Sequence, residues 1–224
     1  GSRAVGQVRG RRPAGVPLFH VFAMTTVWNR GIASGAELIL LPRFEIKQVL
    51  KTIDGDKPTL FPGVPTIFIA INERRDLDDY DLTSIKYCIS GGAPLHMDTK
   101  ERFERLTGCV LVEGYGLSEA SPVVACNPPA GTRKVGSIGI PLPGTVVEIH
   151  SLEDRDMTVP IGENGEICVI GPQVMAGYWN REEETAEAIP GGCLHTGDIG
   201  YMDDEGYIFV IDRIGELILC GGYN

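Results

Sequence analysis

The chain has 224 residues, enough for one large domain or two small ones with a real core. With 43% hydrophobic and 22% charged residues it has the balance of an ordinary globular protein, and its net charge of −10 argues against a nucleic-acid polymer as partner. No apolar run reaches the ~20 residues of a membrane span; the longest candidate, 18–41, is broken by Arg30, Gly31, Gly35 and Glu37.

Residues 1–16 are Gly-rich, carry the basic cluster Arg3, Arg9, Arg11 and Arg12, and show no periodicity, so they are expected to be a disordered leader or tag. Residues 38–41, a continuous apolar run ended by Pro42, read as a parallel strand buried on both faces. A helix is expected over 45–53, a strand over 59–61, and a helix over 65–72 that starts at a proline. A strand at 87–90 runs into Gly91-Gly92. The next helix, 97–107, has Asp98/Arg102 and Glu101/Arg105 at i,i+4 and is stopped by Gly108. A strand at 110–115 follows. Strand–helix alternation with short links implies an α/β layered subdomain over 17–130.

After about Gly131 the pattern changes to strands at 146–149, 166–170, 195–201 and 207–211, with turn signals at Asn164-Gly165 and Asp203-Asp204-Glu205-Gly206. One helix interrupts, 181–188, expected to be capped by Asn180 with Glu182, Glu183 and Glu184 in its first turn. The expected fold class is therefore α/β: a layered, mostly parallel sheet with flanking helices, followed by an antiparallel, barrel-like β subdomain over 131–211. Residues 212–224 stop just after an apolar run and read as a stub left by truncation.

The six cysteines (Cys88, Cys109, Cys126, Cys168, Cys193 and Cys220) sit at long, irregular spacings with no C-x-x-C pair, so their spacing suggests neither a zinc site nor a redox pair. Free thiols in apolar runs favour a reducing, cytoplasmic location. His96, His150 and the acidic run 76–81 read as surface features.

The strongest chemical signal is Glu113-Gly114-Tyr115-Gly116-Leu117-Ser118-Glu119 at the carboxyl end of an expected strand, the edge where ligands settle in open α/β sheets. Glycines there let a backbone lie close to a ligand. Tyr115 offers a flat face, and Ser118 and Glu119 supply hard oxygen donors suited to phosphate and magnesium. A glycine-rich turn beside a core tyrosine is the plain alternative. Order adds weight, because Ser90-Gly-Gly-Ala-Pro94 precedes this segment and His195-Thr-Gly-Asp198 follows it.

Together with Pro17-Leu18-Phe19-His20, Gly165-Glu166, Gly177-Tyr178-Trp179 and Asp212-Arg213, these motifs stand in the order of the adenylate-forming superfamily, which the chain resembles over nearly its whole length. Ser121-Pro122-Val123, Gly136-Ser-Ile-Gly-Ile-Pro141 and Pro172-Gln-Val-Met-Ala-Gly-Tyr-Trp-Asn180 are most similar to AMP-forming long-chain fatty acid–CoA ligases.

The resemblance implies that Gly91, Gly92 and Ala93 and the strand end Glu113, Gly114 and Tyr115 sandwich adenine, with Tyr115 stacking. It implies that Ser118 bonds a phosphate oxygen, that Glu119 holds magnesium, and that Asp198 accepts from both ribose hydroxyls. Arg213 would add a ribose or phosphate contact, and Asp212 would sit at a hinge. His20 would lie near the substrate carboxylate, with Met24 one turn on. Taken singly, a hairpin-end aspartate, an exposed arginine, a packed histidine and a core methionine are the plain readings of Asp198, Arg213, His20 and Met24. The family's phosphate loop is expected before Leu18 and its C-terminal domain beyond Asn224. At the hinge, this chain has Gly215-Glu216 where the family usually has Lys-Asp.

The expected activity is activation of a fatty acid with Mg-ATP to acyl-adenylate, then transfer to coenzyme A. The alternatives are an aryl-CoA ligase, another adenylate-forming enzyme, or a nucleotide-binding fragment without turnover. A dinucleotide oxidoreductase is disfavoured because no G-x-G-x-x-G follows an expected strand. The partners implied are fatty acid, ATP or AMP, Mg and coenzyme A, with peripheral membrane contact left open.

Overall fold

Apolar runs and amphipathic helices organise the chain locally, and the computed structural model describes residues 11–14, 18–41 and 44–214. They fall into two compact units, Gly1–Glu113 and Gly114–Asn224. The division lies inside a strand, ahead of the change of pattern near Gly131.

The first unit begins with β1 (Arg11–Ala14). The short α1 (Val21–Ala23) then runs through a π-helical segment (Met24–Asn29) into α2 (Arg30–Ala33). β2 (Glu37–Leu40) pairs in parallel with β1, Arg12 opposite Leu38 and Pro13 opposite Ile39. Residues 11–14 therefore belong to the fold rather than to a disordered leader; their strand rests on a partner some 26 positions away (37 − 11), which local periodicity does not reveal. The expectation for β2 is also corrected, since Leu40 is 47% exposed. Leu38 and Ile39 are only partly buried as well, so the strand is not buried on both faces.

α3 (Ile46–Asp56) ends at Lys57, whose positive φ of 50° closes the last turn. β3 (Leu60–Gly63), α4 (Pro65–Asn72), β4 (Tyr87–Ser90), α5 (Met97–Thr107) and β5 (Val110–Gly116) follow. Pro65 starts α4 and Gly108, at φ 71°, stops α5, as their residue types dictate. β3, β4 and the first half of β5 pair in parallel, the layered arrangement expected. Phe68 stands edge-on to Phe61 and to Phe103, with centroids 6.0 and 4.9 Å apart, at the centre of the core.

In the second unit the last residues of β5 pair antiparallel with β6 (Val123–Cys126), which pairs with β7 (Ile140–Pro141). Neither short strand is evident from the sequence pattern. β8 (Val146–His150), β9 (Gly165–Ile170), β10 (Leu194–Met202) and β11 (Ile208–Arg213) then form an antiparallel sheet in the order β11-β10-β9-β8. α6 (Glu182–Ala188) starts at Arg181 without a side-chain cap, so Asn180 is not the cap the sequence suggested; it sits one residue early at φ 55°. Val147, Ile149, Ile167, Val169, Leu194 and Ile208 pack into the unit's core. Residues 215–224, including Gly215-Glu216, lie outside the described residues. No helix among the described residues is long and apolar enough to cross a membrane.

Candidate active site

In the first unit His20 caps α1, its Nδ1 accepting the Phe22 N–H at 3.2 Å, and its side chain is exposed. It opens a helix, with turn residues before it. Met24, with 41% exposure, is not a core methionine. Gly91, Gly92 and Ala93 follow the carboxyl end of β4, where the Gly91 N–H donates to the Gly63 carbonyl at 3.2 Å. The Ser90 hydroxyl beside them is buried and has no partner among the described residues, a free polar group next to a backbone open to a ligand. Glu113 is half-buried and accepts the Leu95 N–H at 2.7 Å; burial pushes its carboxyl above the usual range, which that bond partly offsets. It therefore fastens the segment after Ala93 to the strand end.

In the second unit β5 ends at the glycine-rich segment. Gly116 is required by a close approach of chain to chain: a Cβ there would lie 1.7 Å from the Pro122 carbonyl oxygen. The register shifts between Tyr115 and Gly116, and the Leu117 N–H donates to that carbonyl at 2.9 Å. At least for Gly116, the glycine serves the turn rather than a ligand. Ser118 and Glu119 then sit on a 3₁₀ turn, Ser118 exposed and Glu119 half-buried.

Asp198 is placed by a bulge. Between His195 and Ile199 the register of β10 against β9 shifts, and Gly197 takes φ 74°, a conformation that glycine adopts at no steric cost. Thr196 fixes the turn, donating to the Ile167 carbonyl at 2.8 Å and accepting the Asp198 N–H at 3.1 Å. Buried Glu166 accepts the Gly197 N–H at 3.0 Å and lies 2.7 Å from His195 Nδ1. The Asp198 carboxylate accepts the Tyr115 hydroxyl at 2.5 Å and lies 3.5 Å from Arg213 Nε, directly across the β10–β11 pair. Burial, then the nearby Asp198 charge, pushes the Tyr115 phenol well up, so it stays a donor.

Three of the residues expected to contact nucleotide, Tyr115, Asp198 and Arg213, are thus brought together although 83 positions separate the first two. Glu119 has a partner that sequence reasoning did not assign to it. The Tyr178 hydroxyl donates to its Oε1 at 2.8 Å, and this bond raises the Tyr178 phenol. The Met175 N–H donates to the Glu119 carbonyl at 2.8 Å. Tyr178 lies within a quoted motif but carried no role there; Thr196 and Glu166 were likewise missed as supports of the Asp198 turn. With one oxygen held by a phenol, the other Glu119 oxygen remains a hard donor of the kind that magnesium takes.

The AMP-binding enzyme family matches residues 11–179. The chain is 53% identical over 209 residues to the long-chain-fatty-acid–CoA ligase of Bacillus subtilis, covering 93% of this chain and 37% of that protein. It is 40% identical over 213 residues to the probable 4-coumarate–CoA ligase 2 of Dictyostelium discoideum, covering 93% of this chain and 38% of that protein. In structure it superposes on O-succinylbenzoate coenzyme A synthetase of Bacillus subtilis, solved in complex with ATP and magnesium ion, with a TM-score of 0.82 and 30% identity, over 96% of this chain and 44% of that one. The chain therefore spans less than half the length of these relatives. Matched from its first described strand through the Gly177-Tyr178-Trp179 motif, the chain belongs to the AMP-binding enzyme family.

Proposed function

We propose that this chain is the nucleotide-binding part of an AMP-forming fatty acid–CoA ligase. The observation that carries the reading is the Tyr115–Asp198–Arg213 cluster, which ties the strand end to the Gly197 bulge. A carboxylate has about four lone-pair sites. With one oxygen bonded to Tyr115, Asp198 keeps capacity to accept both hydroxyls of a ribose, and the half-buried Tyr115 ring would stack on adenine. Gly91, Gly92, Ala93, Glu113 and Gly114 supply backbone around the base, Ser118 a hydroxyl for a phosphate oxygen, and His20 a contact for the substrate carboxylate.

In the first half-reaction the fatty carboxylate attacks the α-phosphate of ATP, giving acyl-adenylate and pyrophosphate. In the second, the coenzyme A thiol attacks the mixed anhydride and AMP leaves. Glu119 would hold the magnesium, which supplies charge neutralisation as pyrophosphate departs. Tyr178 holds that carboxylate in place. Both steps rest on positioning and charge stabilisation, so no nucleophilic triad is required. The free thiols of Cys88, Cys109, Cys126, Cys168 and Cys193 support a reducing compartment.

The test separates two roles in the full-length protein. Glu119→Ala removes a group whose help grows in the transition state and should lower kcat by on the order of a hundredfold. Asp198→Ala removes uniform binding and should act mainly through a higher KM for ATP. Unchanged kcat in Glu119→Ala at saturating magnesium and ATP overturns the first assignment; loss of kcat at unchanged KM in Asp198→Ala overturns the second. The 4-coumarate relative keeps an aromatic acid open as substrate. A higher kcat/KM for a long-chain fatty acid than for 4-coumarate is expected, and the reverse selects the aryl reading.

A further inference from the structure

The register of the β8–β9–β10 sheet places Glu148 opposite Cys168, His150 opposite Glu166, and His195 opposite Cys168. Directly paired residues, and residues two apart, share a face of a sheet. One face therefore carries Glu148, His150, Glu166, Cys168 and His195, while Val147, Ile149, Ile167, Val169 and Leu194 fill the other. Cys193, two residues before His195, joins the first face through its contact with Cys168. This polar face is enclosed: His150 and His195 are buried, Glu166 and Cys168 almost wholly so. The burial of His150 corrects the expectation that it is a surface residue.

We propose that His150, Cys168 and Cys193 form a binding site for a divalent ion of the zinc class. One ligand atom from each already lies within 4.8 Å of the others. Zinc bonds of about 2.3 Å to sulfur and 2.0–2.1 Å to nitrogen put tetrahedral ligands roughly 3.3–3.8 Å apart, so a closing of about 1 Å completes the set. Two sulfurs and an imidazole are the soft donors that select zinc over magnesium or calcium. His150 Nδ1 lies 2.5 Å from the Arg155 carbonyl and Nε2 3.0 Å from the Glu148 carboxylate; the first bond would hold the ring in place while an ion replaces the proton on Nε2. An ion at Nε2 would displace the contact with Glu148, whose side chain is 38% exposed. Cys193 is half-buried, which gives an ion a route in.

The overlapping set Glu166, Cys168 and His195 is weaker, because Glu166 is committed to Gly197 and His195. The buried Cys88–Cys109 pair, with sulfurs 3.8 Å apart, gains no third ligand among the described residues. Sequence spacing argued against zinc because it tests ligands near in sequence; these come from one strand each and from the residue before a third.

The test titrates the reduced chain with cobalt(II), then zinc. One equivalent of cobalt should give thiolate-to-cobalt charge-transfer absorption that zinc abolishes at submicromolar concentration. Cys193→Ser, at a half-buried position, should remove the band and weaken zinc on the order of a hundredfold, as loss of a direct ligand exceeds the 10–100-fold of its supporting contacts. His150→Gln should weaken zinc likewise, and Cys126→Ser should change nothing. Absence of the band, its survival in Cys193→Ser, or zinc binding only at tens of micromolar overturns the proposal. So does a disulfide joining Cys168 and Cys193 in the unreduced protein.

Discussion

The two units of this chain place polar chemistry differently. In the first, the parallel strands β3, β4 and β5 carry mostly apolar side chains, and the residues expected at a nucleotide lie at or past the strand ends, largely as backbone. In the second, polar residues alternate with apolar ones over 147–150 in β8 and 166–169 in β9, so side chains cluster within the sheet as well as at the bulge of β10. A sheet that packs its side chains into a core leaves its functional groups to the loops. A sheet with a second, polar face can hold a network, provided that its buried groups are paired.

The largest expected effect tests the first half of that contrast. Phe68→Ala empties the meeting point of three rings and should cost about 3–5 kcal/mol. Hydrogen exchange should then rise through 46–113 while 146–213 keeps its protection. Equal loss of protection in both segments would mean that the division at Glu113 is not an energetic one.

The second prediction probes the side-chain chemistry. Tyr178→Phe deletes the bond to Glu119 and leaves the ring in place. A hydrogen bond to a charged group is worth about 1.5–3 kcal/mol, and the 38% exposure of Tyr178 puts it at the low end, on the order of tenfold in kcat of the full-length protein. The KM for ATP should hardly change. A raised KM with unchanged kcat would move Tyr178 from positioning Glu119 to holding nucleotide.

The smallest effect lies on the surface of the second unit, where Lys134 Nζ meets Asp203 at 2.5 Å and Glu205 at 2.9 Å. Lys134 holds the Asp203 carboxyl below its usual value, with burial opposing and backbone N–H groups assisting. A carboxyl lowered by folding stabilises above its unfolded pKa of about 3.9, and that contribution fades as pH falls through the folded value. Lys134→Met should therefore lower the melting temperature slightly at neutral pH, and the gap from the parent chain should narrow below about pH 4. A gap independent of pH would make the Lys134 ammonium over the Tyr207 ring, 4.8 Å from its centroid, the larger contribution.

Much of the fold is legible in the order of residues. Pro65 at the start of α4 and Gly108 at the end of α5 fix those boundaries through their own backbone preferences, and the bounds of β4 follow from a short apolar run ended by glycines. The motifs that mark the family are equally local, strings of residues whose types alone carry the signal. Tertiary structure decided the rest. Residues 11–14 are a strand only because β2 lies beside them, and β6 and β7 are too short to show a period. Tyr115 meets Asp198, and Tyr178 meets Glu119, across 83 and 59 positions. The gathering of His150, Cys168 and Cys193 depends on strand register. Register is a choice of partner, set by burying one whole face of a strand, and a one-residue slip would turn each of these side chains to the other side. Residue types state what chemistry the chain can perform; the pairing of distant strands decides which of those groups meet.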